Sequence, residues 1–337
     1  MSKKQLRVGV IGCGAIGREH IHRLMSVVPS ATVVAVYDYF EEAAQKVAAA
    51  YDGIEVFPSG EAIIESEGVD AVLVATTDDT HAGYVMHCLE NEKYVFCEKP
   101  LALTVPECEE MMEKEQAIGK RLIQVSFNRR IDLGYREMKQ AIKDGEIGEP
   151  LMIHSAHRNI SQAPGFETDY AITRVAIHEI DITRWLLYEE YEEVQVLTVK
   201  QSRRTSGDWL NPQLVMFKTV SGQRVDVEVQ TDGAYAYDIQ SQVVGEDGTL
   251  NLPDPAKVWK WTNQSFSYSL TDHWAKRFIE SYDTEFNEWA ESVVADQLVG
   301  PSARDGYVSC VVADAMIRSR KTGRPEKIEL VEKADIY

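Results

Sequence analysis

The first 126 residues alternate short apolar runs with amphipathic segments. Residues 6–11, 32–37, 54–57, 70–75, 94–97 and 121–126 are rich in valine, isoleucine and other β formers, as strands buried on both faces are. Between them, residues 18–27, 41–51, 61–66, 81–91 and 105–118 read as helices. Strand and helix alternating at this pitch predict an α/β fold built on a doubly wound parallel sheet. The texture changes after Phe127. A helix is expected at 135–144, then Gly145, Gly148 and Pro150 lead into a strand at 151–158, and a helix follows at 176–187. Long strand-like runs come next, at 194–200, 214–220, 224–230 and 239–244. Val225, Val227 and Val229 alternate with Asp226, Glu228 and Gln230, the period of a sheet with unlike faces. Residues 284–295 and 303–319 return to helix. The expectation is therefore a first domain over 1–126 and an α+β domain over 127–337, with an open, mainly antiparallel sheet. No internal repeat or low-complexity linker interrupts this pattern, and the acidic clusters at 107–115 and 189–193 read as solvated faces.

Composition narrows the function classes. The chain has 337 residues, enough for about two domains. Asp+Glu outnumber Lys+Arg by 54 to 35, a formal net charge of −19, so phosphate backbones and anionic lipid would repel it. No stretch reaches the roughly 18 apolar residues of a membrane span. Lys3 and Lys4 precede only a short apolar run broken at Gly12 and Gly14, so no signal peptide is expected. The five cysteines, Cys13, Cys88, Cys97, Cys108 and Cys310, form no CxxC pair and no metal-ligand spacing. They read as reduced thiols of a soluble cytoplasmic protein without a metal.

The chemistry begins at Gly12-Cys13-Gly14-Ala15-Ile16-Gly17, between the first strand and the first helix. Gly12 permits a tight turn, Gly14 lets backbone approach a pyrophosphate, and Gly17 lets helix and strand pack closely. The exposed N–H groups and the helix dipole then favour phosphate. Asp38 ends the second strand, 21 residues past Gly17. A carboxylate there accepts from ribose hydroxyls and repels a 2′-phosphate, favouring NAD over NADP. The fourth strand runs into Thr76-Thr77 and His81, and the fifth ends in Glu98-Lys99-Pro100, at the sheet edge where a dinucleotide lies. The candidate cofactor contacts are thus Gly12, Gly14, Ala15, Ile16, Gly17, Asp38, Thr76, Thr77, His81, Glu98 and Lys99. His81 alone reads more readily as a packing or cap residue. Lys99 alone reads as a surface lysine, but the glycine loop upstream reverses that reading.

Gly12–Gly17, Asp38, Glu98-Lys99-Pro100 and His178-Glu179-Ile180-Asp181 together resemble the GFO/IDH/MocA family of NAD(P)-dependent sugar and polyol dehydrogenases, over essentially the whole chain. Within it, Gly148–His154, His157-Arg158-Asn159, Tyr237–Gln240 and Val244-Gly245-Glu246 are similar to segments of bacterial inositol 2-dehydrogenases. The resemblance implies a Rossmann domain followed by an open sheet whose outer face packs in homotetramers or dimers. It also implies Lys99 as the active-site lysine and His178 as the general acid/base. Asp181 is implied as a substrate ligand or an orienter of its neighbours, and Arg129, His157, Asn159 and Tyr237 as residues lining a polyol pocket. His157 and Tyr237 also have packing readings.

Two positions depart from the pattern the resemblance implies. Arg174 stands where family members carry an Asp four residues before the histidine, and Asn128 where inositol dehydrogenases tend to carry Met. Arg174 can turn outward or pair with Asp169 or Asp181, bind an anionic substrate group, or mark lost activity. The expected function is NAD-dependent oxidation of a secondary alcohol on a cyclic polyol or sugar. The alternatives are a dehydrogenase for an anionic sugar such as a uronate, an NAD-dependent glycosidase, and a non-catalytic NAD/sugar sensor.

Overall fold

In a computed structural model, residues 5–205, 209–253 and 258–337 are described. Six apolar runs form the strands of one parallel sheet: β1 (Leu6–Ile11), β2 (Ala31–Tyr37), β3 (Glu55–Val56), β4 (Ala71–Val74), β5 (Tyr94–Cys97) and β6 (Ile123–Val125). Their order is β3-β2-β1-β4-β5-β6. Every residue of β4, β5 and β6 is buried, and all but Gln124 are apolar or aromatic, as strands covered on both faces are. The connecting helices are α1 (Ala15–Ser26), α2 (Glu41–Ala50), α3 (Gly60–Glu65), α4 (His81–Glu90) and α5 (Val105–Ile118). α5 has both its ends written in the chain. Thr104 and Glu107 form a capping box, and Gly119 stops the helix at φ 76°. Strand order reverses between β1 and β4, so the crevice at their carboxyl ends is the binding position of a doubly wound fold.

The described chain divides into two compact units. The first holds this sheet through Phe127 and also takes Tyr282–Cys310 and Val331–Tyr337. The division read from the sequence assigned those later segments to the second domain. They join the first because Phe286 stacks on Phe96 at 4.6 Å and Trp289 meets the same ring edge-on at 5.4 Å. The second unit comprises Asn128–Ser281 and Val311–Leu330.

The second unit contains α6 (Leu133–Lys143), β7 (Pro150–Arg158), α7 (Ile177–Leu187), β8 (Tyr191–Thr198), β9 (Gln213–Thr219), β10 (Arg224–Gln230), β11 (Asp238–Gly245) and β12 (Thr249–Asn251). The chain continues through β13 (Trp259–Thr262), β14 (Ser265–Tyr268), α8 (Trp274–Arg277), α9 (Ile279–Val294), α10 (Ala303–Thr322) and β15 (Glu326–Lys327). The large sheet runs β12-β11-β7-β10-β9-β8-β15. β7 and β10 pair in parallel and the other neighbours are antiparallel, giving the mainly antiparallel sheet expected. Val225, Val227 and Val229 point inward at 0–2% exposure, while Asp226 and Glu228 alternate onto the outer face. Before α7, residues Ala171–Ala176 form a π-helical turn that the apolar spacing does not announce. Unexpected too is the β13–β14 hairpin.

Candidate active site

The glycine loop follows β1 without a gap. Gly12 has φ +105°, and a Cβ there would lie 2.4 Å from the Ala75 carbonyl oxygen. A Cβ on Gly17 would lie 2.0 Å from the Gly12 carbonyl oxygen. Both positions therefore require glycine. Gly14 differs: a Cβ there meets nothing within 4 Å, so its glycine leaves open space over the start of α1. Gly14 caps α1 without a side-chain hydrogen bond, and the first turn holds no acidic residue. The leading N–H groups of α1, at Ala15 and Ile16, are thus presented to an anion. Asp38 accepts the Cys13 N–H at 2.7 Å through Oδ2 and the Phe40 N–H at 2.8 Å through Oδ1. These bonds fix the carboxylate beside the loop and leave lone pairs for ribose hydroxyls. Cradle, helix terminus and carboxylate fit a dinucleotide.

Lys99 stands on the turn after β5, and its peptide bond to Pro100 is cis. Its N–H donates to Oε2 of Glu98 at 3.3 Å, and Oε1 of Glu98 lies 2.7 Å from Nε2 of His20 on α1. His81 is 1% exposed. Its Nδ1 donates to the Pro100 carbonyl at 2.7 Å, and Nε2 lies 3.4 Å from the Thr76 carbonyl. The Nδ1 bond therefore ties the start of α4 to the lysine turn, the packing role that His81 alone suggests. Thr76 accepts from the Thr80 hydroxyl at 2.7 Å, and the Thr77 carbonyl accepts the Thr80 N–H at 3.0 Å, so the loop after β4 is held from within.

In the second unit, α7 carries His178 at its start. The His178 ring lies 6.2 Å from that of His157 on β7, and Tyr237 meets His157 edge-on at 5.7 Å. His157 also belongs to a buried trio with Arg129 and Glu179. Arg129 bonds Oε1 of Glu179 through Nη1, and His157 Nδ1 lies 2.9 Å from Oε2 of Glu179 and 3.1 Å from Nη2 of Arg129. Burial pushes the Glu179 carboxyl up, but Arg129 and His157 more than offset it, so the group stays below the ordinary carboxylate range. Burial pushes the Tyr237 phenol up, against the pull of Arg129. Arg130 grips Asp181 with Nε at 2.8 Å from Oδ2 and a second bond from Nη2 to Oδ1. Asn128 donates to Ser281 at 3.3 Å.

Asn128, Arg129 and Asp181, each 1% exposed, thus bond groups inside the unit. These bonds hold the cluster together, the orienting role that the resemblance implies as one reading of Asp181. Asn159 is anchored by its backbone to Gln230 and Gly233, while its buried Oδ1 has no polar partner. The exposed Arg174 lays its guanidinium 3.8 Å over the Tyr170 ring. Asp169 is held by Arg320 at 2.5 Å, and Asp181 by Arg130 as above.

Residues 6–127 match the oxidoreductase family with an NAD-binding Rossmann fold, and residues 139–330 match that family's C-terminal alpha/beta domain. The chain belongs to the GFO/IDH/MocA oxidoreductase family. Residues 6–127 of this family member are accordingly its NAD-binding domain, and they include the glycine loop. The inositol 2-dehydrogenases of Burkholderia lata and of Klebsiella pneumoniae are each 44% identical to it, over 98% of this chain and 99% of theirs. Myo-inositol dehydrogenase from Lactobacillus casei, solved in complex with NAD(H) and myo-inositol, superposes with a TM-score of 0.96 at 35% identity over 99% of each chain.

Several residues of the site escape sequence reasoning. Glu179 and Arg130 flank residues singled out from the motifs, and each supplies the counter-charge for a neighbour's partner: Glu179 for Arg129 and Arg130 for Asp181. The signal for them was present in two arginines before α6 and two carboxylates two apart on α7. His20 lies three residues past Gly17, on the face of α1 turned toward the sheet, and only the register of the helix points to it.

Proposed function

We propose that this chain is an inositol 2-dehydrogenase, oxidising one secondary alcohol of a cyclic polyol to a ketone with NAD. The observation that carries the reading is the full-length 44% identity to inositol 2-dehydrogenases, with the lysine and histidine that the resemblance implies kept as Lys99 and His178. NAD, when bound, supplies the hydride acceptor. His178 takes the hydroxyl proton, and Lys99 donates a hydrogen bond to the reacting oxygen and stabilises its developing charge. His157, Asn159 and Tyr237 contact the ring hydroxyls. Asn159 brings an acceptor whose hydrogen-bonding capacity is unused. Arg129 and Asp181 act behind them, through Glu179 and Arg130.

Arg174 favours a second substrate class. A guanidinium four residues before His178 suits a carboxylate or phosphate on the sugar, where an Asp would repel it. Five buried reduced cysteines fit a reducing, cytoplasmic location. Assembly as a homotetramer or dimer fits the outer face of the large sheet, where Met152 and Leu197 are exposed.

The test is NADH formation by the purified protein with myo-inositol, scyllo-inositol and glucose beside uronates and phosphorylated analogues. Turnover of neutral inositols supports the reading. Turnover confined to anionic members overturns the inositol assignment and makes Arg174 a specificity residue. Silence with NAD bound leaves the sensor, and release of an aglycone from a glycoside without accumulating NADH identifies the glycosidase.

A further inference from the structure

His20 and Glu98 form a buried pair joining the helix that starts at the cofactor cradle to the turn that carries Lys99. Nε2 of His20 lies 2.7 Å from Oε1 of Glu98, with side chains 0% and 8% exposed. The imidazole packs between Phe96 of β5 and Tyr282 and Phe286 of α9, with ring centroids 6.3, 5.4 and 4.6 Å away. Its Nδ1 has no polar partner. The one hydrogen of the neutral ring therefore sits on Nε2 and is donated to Glu98. Burial holds the imidazole below its ordinary value, keeping it neutral.

The other oxygen of Glu98 accepts the Lys99 backbone N–H at 3.3 Å. The charged and titratable groups around the pair are Glu19 and Arg23 on α1, Cys97 and Lys99 on β5 and its turn, and Tyr282 on α9. Arg23 is engaged by Asp283 at 3.0 Å. Burial opposes the Glu98 charge, but the bond from His20 and the Lys99 charge overcome it.

We infer that His20 is a positioning residue for the dehydrogenation, acting through Glu98 to fix the turn of Lys99 and to keep an anionic carboxylate in the field of the Lys99 ammonium. The inference rests on the reading of Lys99 as the active-site lysine. An ammonium that hydrogen-bonds a developing alkoxide must hold its proton and its place. A fixed carboxylate next to it in the chain serves both needs. Without the His20 donor, Glu98 keeps a buried charge that has lost its strongest bond, and either protonates or swings away from the turn.

The experiment uses the NAD-loaded protein and the variants His20→Leu, His20→Gln and Glu98→Gln, with thermal melts to confirm folding. One readout is acetylation of Lys99 by acetic anhydride across pH, followed by peptide mass spectrometry. The other is kcat with a polyol that the wild type oxidises. In His20→Leu and Glu98→Gln the midpoint of Lys99 labelling is expected to fall by about one pH unit. In the same variants kcat falls roughly 10- to 100-fold. His20→Gln, which keeps a donor near the Nε2 position, stays within about threefold of wild type in kcat and leaves the midpoint unmoved. An unmoved midpoint in Glu98→Gln, or equal damage in His20→Gln and His20→Leu, overturns the inference. If His20→Leu does not fold, the other two variants decide it. Labelling needs no turnover, so a wild type silent on every polyol refutes the proposed function while the midpoint still decides this inference. Normal turnover with an unmoved midpoint refutes this inference alone.

Discussion

Replacing Glu179 with Gln should destabilise the second unit severely. Arg129 and Glu179 are each 1% exposed and His157 3% exposed, so water cannot screen the charge left behind. Glutamine keeps the size and one acceptor, and removes only the negative charge. Breaking a buried ion pair by neutralising one partner costs about 3–5 kcal/mol, because the remaining charge stays desolvated. Arg129 cannot escape by losing its proton. With a urea m-value of about 2–3 kcal/mol/M, the midpoint should fall by roughly 1–2 M. Tryptophan fluorescence is a suitable probe, since Trp185, Trp209, Trp259, Trp261 and Trp274 lie in the second unit and Trp289 in the first. The double variant Arg129→Met with Glu179→Gln removes both charges. It should recover at least about 2 kcal/mol against the sum of the two single losses. A single-variant loss below about 1 kcal/mol, or strict additivity in the double, would refute the reasoning that the trio is held by mutual compensation.

The cofactor cradle and the buried titratable groups make further predictions. Gly14→Ala should fold with wild-type stability, because its Cβ meets nothing within 4 Å, yet bind NAD at least about tenfold more weakly in a fluorescence titration. Gly17→Ala, with its Cβ 2.0 Å from a carbonyl oxygen, should instead lose stability in a thermal melt, by about 1–3 kcal/mol or more. Asp38→Asn keeps an acceptor for the Cys13 N–H but drops the charge, so the kcat/KM preference for NAD over NADP should shrink by roughly tenfold or more; an unchanged ratio would remove Asp38 from cofactor choice. Stability should fall on acidification. Glu98 and Glu179 sit below their ordinary values when folded, so the unfolded chain binds more protons, and the stability they give is lost as pH falls through their folded values. His20, also held below its ordinary value, acts in the same direction from about pH 6.5 downward, because the unfolded chain takes a proton that the folded one refuses. Melting temperatures from pH 7.5 to 4.5 measure this, and in His20→Gln the slope should flatten between about pH 6.5 and 5.

The fold was legible wherever burial imposes a period. β10 was read over its full length because Val225, Val227 and Val229 face the core and their neighbours do not. α5 was read to the residue because helix periodicity ran between a capping box and a left-handed glycine. The π-helical turn Ala171–Ala176 was missed because its departure from helical spacing has no composition of its own. The β13–β14 hairpin was missed although it carried a signal: Trp259 and Trp261 alternate with polar residues up to Asn263-Gln264, both at positive φ. At the site, the glycine loop and Asp38 were legible because backbone geometry fixes their spacing along the chain. The trio of Arg129, His157 and Glu179 was not, because it closes between residues 22 to 50 positions apart. Such closure depends on how elements pack, and no local pattern records it.

The most direct test of the account is steady-state NADH production with myo-inositol by the wild type, Lys99→Met and His178→Gln, with NAD binding measured on each. The wild type should turn over, His178→Gln should bind NAD within about threefold of it, and kcat should fall by roughly 10²-fold or more in each variant. A wild type that binds NAD without oxidising inositol, or a Lys99→Met variant with undiminished kcat, would contradict it.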